Sequence, residues 1–247
     1  MNKPLISIIT VTFNAEETIG KTLESIKAQT FKDFEHIVID GASKDKTLQI
    51  LEQEKGTQTL VFSEPDGGLY DAMNKGIKKA HGEYVIFINS GDSFHNSNTL
   101  KEYAEKAREG KDIIYGDTVI VDSSGKMISE RHLSVPDSLT KKSFLNGMLI
   151  CHQAFMVKKN LAPEFDLQYR FSADYDWCVK CIEKSEIDNK SNLRKVTIDY
   201  LSEGLTDKNK WKSLGERFQI MTRHYGAFPT ILKHISFIFR AIKRGKI

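Results

Sequence analysis

Tyr84-Val85-Ile86-Phe87-Ile88-Asn89-Ser90-Gly91-Asp92-Ser93 is a continuous apolar run that stops at a glycine and a carboxylate. An unbroken apolar segment bounded by turn residues predicts a strand buried on both faces, as in the middle of a parallel sheet. Ligands of open α/β sheets sit outside the carboxyl ends of the strands, so Asp92 is expected where a metal ion or a ribose hydroxyl can reach it. Ser-Gly-Asp is also ordinary turn chemistry, and the rest of the chain has to decide between the two.

Working outward, Leu5 to Thr12 is short, apolar and β-branched and predicts a first buried strand. Ile19, Leu23 and Ile26 recur at helical spacing within Glu16 to Ala28, with Asn14 as the expected N-cap. A second strand over Phe34 to Ile39 closes on Asp40-Gly41-Ala42-Ser43-Lys44-Asp45-Lys46-Thr47, which feeds a helix carrying Leu48, Ile50 and Leu51. A third strand, Thr59 to Ser63, breaks at Glu64-Pro65-Asp66-Gly67-Gly68 before a helix over Tyr70 to Ala80. This alternation predicts a parallel sheet with right-handed crossovers. Thr12, Asn14, Asp40, Asp66 and Asp92 all fall at or just after strand ends, and parallel strands gather those ends on one edge. No G-x-G-x-x-G follows the first strand and no G-x-x-x-x-G-K-[ST] occurs, which disfavours dinucleotide dehydrogenases and P-loop NTPases.

Beyond Asp92 the regular alternation fails. A helix is expected over Asn98 to Arg108, β-structure over Ile113 to Arg131 with a turn at Ser123-Ser124-Gly125, and a short helix over Ser138 to Leu145. A strand over Ile150 to Val157, a helix over Asp174 to Lys184 and a strand over Leu193 to Leu201 follow. The tail from Trp211 to Ile247 is helical in pattern and broken at Gly226-Ala227-Phe228-Pro229, because proline cannot continue a helix. Its last part interleaves Ile231, Leu232, Ile235, Phe237, Ile238, Phe239 and Ile242 with Lys233, Arg240, Lys243, Arg244 and Lys246. Two readings stand: a basic amphipathic segment on an anionic membrane surface, or a helix docked on its own domain with a solvated basic face.

At 247 residues with a net charge of +3 the chain is too weakly basic to argue for nucleic acid. Three cysteines, an odd number, and a first strand that begins directly after Met1-Asn2-Lys3-Pro4 lead to the expectation of a reducing cytosol. Cys178 and Cys181 form a C-x-x-C inside a helical pattern with no second pair to complete a zinc site. No apolar stretch reaches the roughly 18 residues that span a bilayer.

Pro4 to Asn14, Asp40 to Thr47, Ser63 to Gly76 and Asn89 to Asp92 resemble, in order and spacing, the successive signatures of family 2 glycosyltransferases with the GT-A fold. The resemblance covers roughly the first 95 residues strongly and continues more weakly to about residue 205. It implies a mostly parallel central sheet flanked by helices over 1–206, with a C-terminal helical extension over 207–247. It further implies an inverting enzyme that takes a nucleotide-diphosphate sugar, expected to be a UDP-sugar, and a divalent cation, Mg²⁺ or Mn²⁺. Carried over by position, Thr12 and Phe13 line the base pocket, Asp40 accepts a hydrogen bond from the base, Lys75 lies near the nucleotide, and Asn14, Asp66, Ser90 and Gly91 join them as substrate-binding residues. The D-x-D of the family is reduced to Asp92 as the metal carboxylate. One carboxylate can suffice when substrate phosphates and water complete the shell.

Inverting transfer needs a base for the acceptor hydroxyl. Asp174 in Ser172-Ala173-Asp174-Tyr175-Asp176-Trp177 resembles the base of the family's acidic motif, with Ala173 in place of the usual Glu and Asp176 as a supporting acid. Carboxylates in a first helical turn also suit the macrodipole, so capping accounts equally for an Asp there. Cys151-His152-Gln153 is similar to a His-Gln pair of a bacterial subgroup, which places His152 toward the donor phosphates or the acceptor, or else in the core as a hydrogen-bonded His. Ser202-Glu203-Gly204-Leu205-Thr206 resembles a loop that closes over the site and excludes water. A saccharide or lipid-linked acceptor, bacterial surface polysaccharide or lipopolysaccharide assembly, and a cytoplasmic place, peripheral at the inner face of the membrane if the tail binds lipid, complete the expectation. The rivals are a sugar-phosphate nucleotidyltransferase, whose Gly- and Arg-rich first loop is missing at Phe13-Asn14-Ala15-Glu16-Glu17, and a non-catalytic sugar-nucleotide-binding module.

Overall fold

The computed structural model describes residues 3–202 and 210–243. Its strands are β1 (Ile6–Thr12), β2 (Phe34–Asp40), β3 (Thr59–Ser63), β4 (Tyr84–Phe87), β5 (Ser93–Phe94), β6 (Ile113–Val121), β7 (Met127–Glu130), β8 (Phe155–Lys158) and β9 (Lys190–Leu201). Its helices are α1 (Ile19–Lys27), α2 (Thr47–Glu54), α3 (Leu69–Lys79), α4 (Thr99–Arg108), α5 (Ala173–Lys184), α6 (Lys210–Tyr225) and α7 (Ala227–Lys243). All the strands join one curled sheet in the order β3-β2-β1-β4-β8-β6-β9-β5, with β7 on β6. β3, β2, β1 and β4 are mutually parallel, whereas β8 runs antiparallel to both β4 and β6, and β6 pairs in parallel with β9.

Period-two alternation sorts the central strands between two cores. Ile9, Val11, Val85 and Phe87 face one side with Met73 and Ile77 of α3 and Trp177 of α5, and Ile6, Ile8, Tyr84, Ile86 and Ile88 face the other with Leu100 and Tyr103 of α4. A strand with apolar partners on both sides has no polar face to show, which is why 84–88 reads as a continuous apolar run. Ile220 and Met221 of α6 belong to the first core.

The boundaries differ from the sequence expectation where side chains compete for the backbone. α1 starts at Ile19 rather than Glu16, and Asn14 is no N-cap: it adopts φ 46° and its Oδ1 accepts from Lys44 N at 2.8 Å. β4 ends at Phe87, because the chain turns at Gly91 (φ 98°) and Asp92 N bonds Asn89 O, so Asp92 lies in the turn before β5. The apolar run from Ile150 does not pair until Phe155. His152–Ala154 form one 3₁₀ turn ahead of β8, and the short helix near 138–145 is a 3₁₀ turn over Lys141–Asn146. Gly226 (φ 87°) separates α6 from α7, and Pro229 sits in the first turn of α7, where its missing N–H costs nothing. The expected closing loop at 202–206 lies outside the described residues apart from Ser202, whose N–H bonds Val121 O.

α3 crosses β1 so closely that a Cβ on Gly76 would lie 2.4 Å from Ile9 Cγ2. Gly76→Ala is therefore expected to destabilise the fold by about 1–3 kcal/mol through overpacking. A urea midpoint equal to wild type would contradict this.

Candidate active site

The parallel register sets the site. Thr12 pairs with Asp40, Asp40 with Ser63, and Ile9 with Phe87, so the ends of β1 to β4 share one edge of the sheet. Ile88 N and Ser90 N continue the ladder to Ile9 O and Val11 O, which carries the Asn89–Asp92 turn to the end of β1. Thr18 and Thr22, one turn apart on α1, hold that turn. Thr18 Oγ1 lies 3.2 Å from Ser90 Oγ, and Thr22 Oγ1 accepts from Gly91 N and donates to Asp92 O. Gly91 has no room for a side chain, since a Cβ there would meet Leu201 at 2.7 Å.

One half of the edge gathers Thr12, Phe13, Asp40 and Asp66. Phe13 is 62% exposed, not a core aromatic, and a Cβ on Gly41 would lie 3.2 Å from its ring and 2.6 Å from Asp66 Oδ2. Asp66 Oδ1 accepts from Gly68 N. The Thr12 hydroxyl is buried with no hydrogen-bond partner. Asp40 is fully buried and already accepts from Ser43 N, Ser43 Oγ and Ser63 Oγ, so it frames the loop and keeps only a lone pair on Oδ1 for a ligand. Asn14 N donates to Ser43 Oγ, which locks the two loops together. Lys75 Nζ is occupied by Pro65 O at 2.7 Å and Glu64 at 3.2 Å.

The other half brings the two acidic candidates together through two consecutive residues. Gln153 Nε2 donates to Asp92 Oδ2 at 2.7 Å, and Leu201 N donates to Asp92 Oδ1 at 3.1 Å. His152 Nε2 lies 3.3 Å from Asn89 Nδ2 and Nδ1 lies 3.3 Å from Asp174 Oδ2. An amide NH₂ only donates, so Nε2 accepts, and the ring proton on Nδ1 points at Asp174. Tyr70 OH and Tyr175 N both donate to Asp174 Oδ1. Below them Tyr70 stacks on Phe165 and Phe165 on Trp177, with Phe87 edge-on to Trp177 and His152.

The two carboxylates are tuned in opposite directions. Burial raises Asp92 from 3.8 to about 6, against the opposing pull of Leu201 N–H, Gln153 and His152. Burial also raises Asp174, but His152, Arg217 and the Tyr175 N–H outweigh it and hold the carboxyl below its ordinary value. The Asp174 side chain keeps 19% of its surface, whereas Asp92 is 4% exposed, so Asp174 is the one an incoming hydroxyl can reach. Asp176 is not part of this group: it pairs with His224 at 2.7 Å and Lys180 at 2.6 Å beneath α6.

Among the described residues no cluster of three or more His, Cys, Asp or Glu is poised around a metal. The oxygen donors on hand for a hard cation held mostly by substrate are Asp92, whose two oxygens already accept from Gln153 Nε2 and Leu201 N, and Asn89 Oδ1, a buried oxygen without a hydrogen-bond partner. Cys178 and Cys181 are buried free thiols, both pushed up by burial. Gln153, Tyr70 and Asn89 carry no role in the sequence expectation. The Thr18/Thr22 pair on an otherwise apolar helical face was the signal in reach.

Against known proteins, the family described as Glycosyl transferase family 2 matches residues 7–162. The chain belongs to glycosyl transferase family 2. A PGL/p-HBAD biosynthesis glycosyltransferase of Mycobacterium tuberculosis is 32% identical over 189 residues, 73% of this chain and 71% of the relative. An uncharacterised glycosyltransferase of Methanocaldococcus jannaschii is 27% identical over 237 residues, 86% of this chain and 81% of the relative. Among solved structures, S. aureus TarS 1-349 in complex with UDP-GlcNAc superposes with a TM-score of 0.71 at 22% identity, covering 94% of this chain and 73% of that one. Mannosyl-3-phosphoglycerate synthase from Rubrobacter xylanophilus gives 0.62 at 14% identity, covering 91% and 76%. At these identities the likeness is one of fold, the GT-A fold of this family 2 enzyme.

Because the Asp92 carboxyl is raised on folding, its contribution to stability is present below about pH 4 and is lost as pH rises through about 6. The full loss is on the order of 3 kcal/mol. In metal-free protein, Asp92→Asn is expected to flatten the fall in urea-unfolding stability between pH 4 and 7. An identical pH profile for the variant would refute the assignment.

Proposed function

We propose that the enzyme is an inverting transferase that moves a sugar from a nucleotide-diphosphate donor, a UDP-sugar, to a hydroxyl of a saccharide or lipid-linked acceptor in surface polysaccharide or glycolipid assembly. The observation that carries this reading is that consecutive residues contact both carboxylates, Gln153 with Asp92 and His152 with Asp174, which supports a phosphate-side role for Asp92 and a base role for the more exposed Asp174. In this reading the base stacks on Phe13 beside Thr12 Oγ1, with the edges of Asp40 and Asp66 facing it. Asn14 and Lys75 shape the loops around it, and Ser90 and Gly91 back the ribose and phosphates.

Asp174 accepts the acceptor's hydroxyl proton as the oxygen bonds to the anomeric carbon, and the bond from that carbon to the diphosphate oxygen breaks with its electron pair on the diphosphate. Attack from the face opposite the leaving group inverts the centre. His152 and Tyr70 fix the Asp174 carboxylate, and its depressed pKa keeps it fully ionised at neutral pH while making it a weak base, so positioning rather than basicity carries the proton transfer. A Mg²⁺ or Mn²⁺ ion held by Asp92 with Asn89 Oδ1 would offset charge on the departing diphosphate.

Incubation with UDP-, GDP- and dTDP-sugars plus Mn²⁺ is expected to give slow metal-dependent hydrolysis of one donor class. Tight binding of a donor without turnover, even with acceptor extracts, would instead favour a binding module. Asp174→Asn is expected to lower kcat by about 10²–10⁴-fold with donor affinity nearly unchanged. Weakened donor affinity at wild-type turnover would contradict the base role.

The tail supports a peripheral membrane contact. No helix among the described residues is long and apolar enough to cross a bilayer. α7 docks through Thr230, fully buried, and Lys233, whose Nζ bonds Asn146. Its outer stripe nonetheless leaves Phe228, Ile231, Leu232, Ile235 and Phe239 exposed, with Phe228 at 74%. Residues 227–247 hold Lys233, Arg240, Lys243, Arg244 and Lys246 and no acid, which complements an anionic lipid surface. The protein is expected to sediment with phosphatidylglycerol vesicles and not with phosphatidylcholine, and Phe228→Ser with Phe239→Ser to abolish it. A wild-type protein left in the supernatant of both would end this proposal.

A further inference from the structure

We propose that Arg217 of α6 is a phosphate-binding residue of the active site, brought in by the helix that follows the last strand; this rests on the transferase reading above. α6 presents one stripe to the domain. Ser213 Oγ lies 2.8 Å from Ser172 Oγ, and Ile220 and Met221 are buried in the core that holds Tyr70, Ala173 and Tyr175. Arg217 stands one turn from Ser213 on this stripe and so faces the start of α5, where Asp174 sits. Glu216 fixes the approach by accepting from Arg170 N at 2.9 Å and Phe171 N at 2.8 Å.

Arg217 Nε is buried without a hydrogen-bond partner, and among the described residues the guanidinium makes no ion pair. Lys180 of α5 and Arg223 of α6 are matched, with Asp176 and Asp166 respectively. Its neighbour Glu216 has spent both carboxylate oxygens on backbone N–H groups. A buried donor left unmatched is costly, and a guanidinium offers the planar fork that suits a phosphoryl group. Its field reaches the site, since Arg217 helps hold Asp174 below its ordinary value and opposes the upward shift that burial imposes on Tyr175. The ligand is thus a phosphoryl group next to the base, from the donor diphosphate or from an acceptor carried on a phosphate or diphosphate. In either place the fixed positive charge steadies phosphoryl oxygens without itself exchanging a proton.

Wild type and Arg217→Gln would be titrated calorimetrically with uridine, UDP and a short prenyl diphosphate. If Arg217 holds the donor, the variant loses UDP affinity by about 10- to 100-fold and uridine affinity is unchanged. If it holds the acceptor phosphate, UDP affinity stays and prenyl diphosphate affinity falls by a similar factor. Arg217→Lys, which keeps the charge and loses the fork, is expected to recover part of either loss. If Arg217→Gln does not fold, Arg217→Lys carries the test, with an expected loss of about 3-fold on the phosphate-bearing probe alone. Variants that bind both phosphate-bearing probes as wild type does would overturn the proposal. A wild-type protein that binds UDP no better than buffer would count against the UDP-sugar reading instead, which separates the two failures.

Discussion

The structure depends on one short hydrogen-bonded link. His152 and Gln153 are consecutive, yet one turns to Asp174 and the other to Asp92, so a single 3₁₀ turn ties the Asn89–Asp92 turn to the first turn of α5. Backbone geometry makes this possible, because adjacent residues in an irregular turn can aim at different neighbours where a strand would place them on opposite faces. The floor beneath is rigid: Tyr70, Phe87, Phe165 and Trp177 interlock through stacked and edge-on contacts. Such packing restricts rotamers and holds polar groups in position.

The two halves of the edge are built differently. Thr12 and Asp40 are the last residues of parallel strands and Phe13 and Asp66 lie in the short loops that follow, so their positions are set by the ladder registers. Asp174, His152 and Arg217 come from segments separated by irregular chain, and they meet only because α5, the 3₁₀ turn and α6 pack on one core. Opposed pKa shifts at the two carboxylates follow from that division. Asp92 is buried and accepts from Leu201 N and Gln153, while Asp174 gathers donors and keeps an open side.

How far the sequence could be read follows the same line. β1, β2 and β4 are buried on both faces and β3, at the sheet edge, is half-buried, so apolar runs and the turns that end them give order and direction nearly unaided. The strand-end acids were legible for that reason. After Phe94 the sheet mixes parallel and antiparallel pairing, and apolar residues no longer mark strands: Met148, Leu149 and Ile150 are buried yet unpaired ahead of β8. Asn14 shows the limit at short range, since a good capping residue bonds Lys44 across the loop rather than its own helix. Gln153, Tyr70 and Arg217 could not be found by pattern, because nothing local distinguishes a glutamine, a tyrosine or an arginine whose partner is defined only by tertiary packing.

α6 carries a consequence for where the catalytic unit ends. Ile220 and Met221 fill the same interior as Ile9 and Phe87, and Ser213 and Glu216 hold the residues just ahead of Asp174. A chain truncated after β9 would therefore lose a wall of its main interior and the brace behind Asp174 together, so α6 is part of the same folded unit as the sheet.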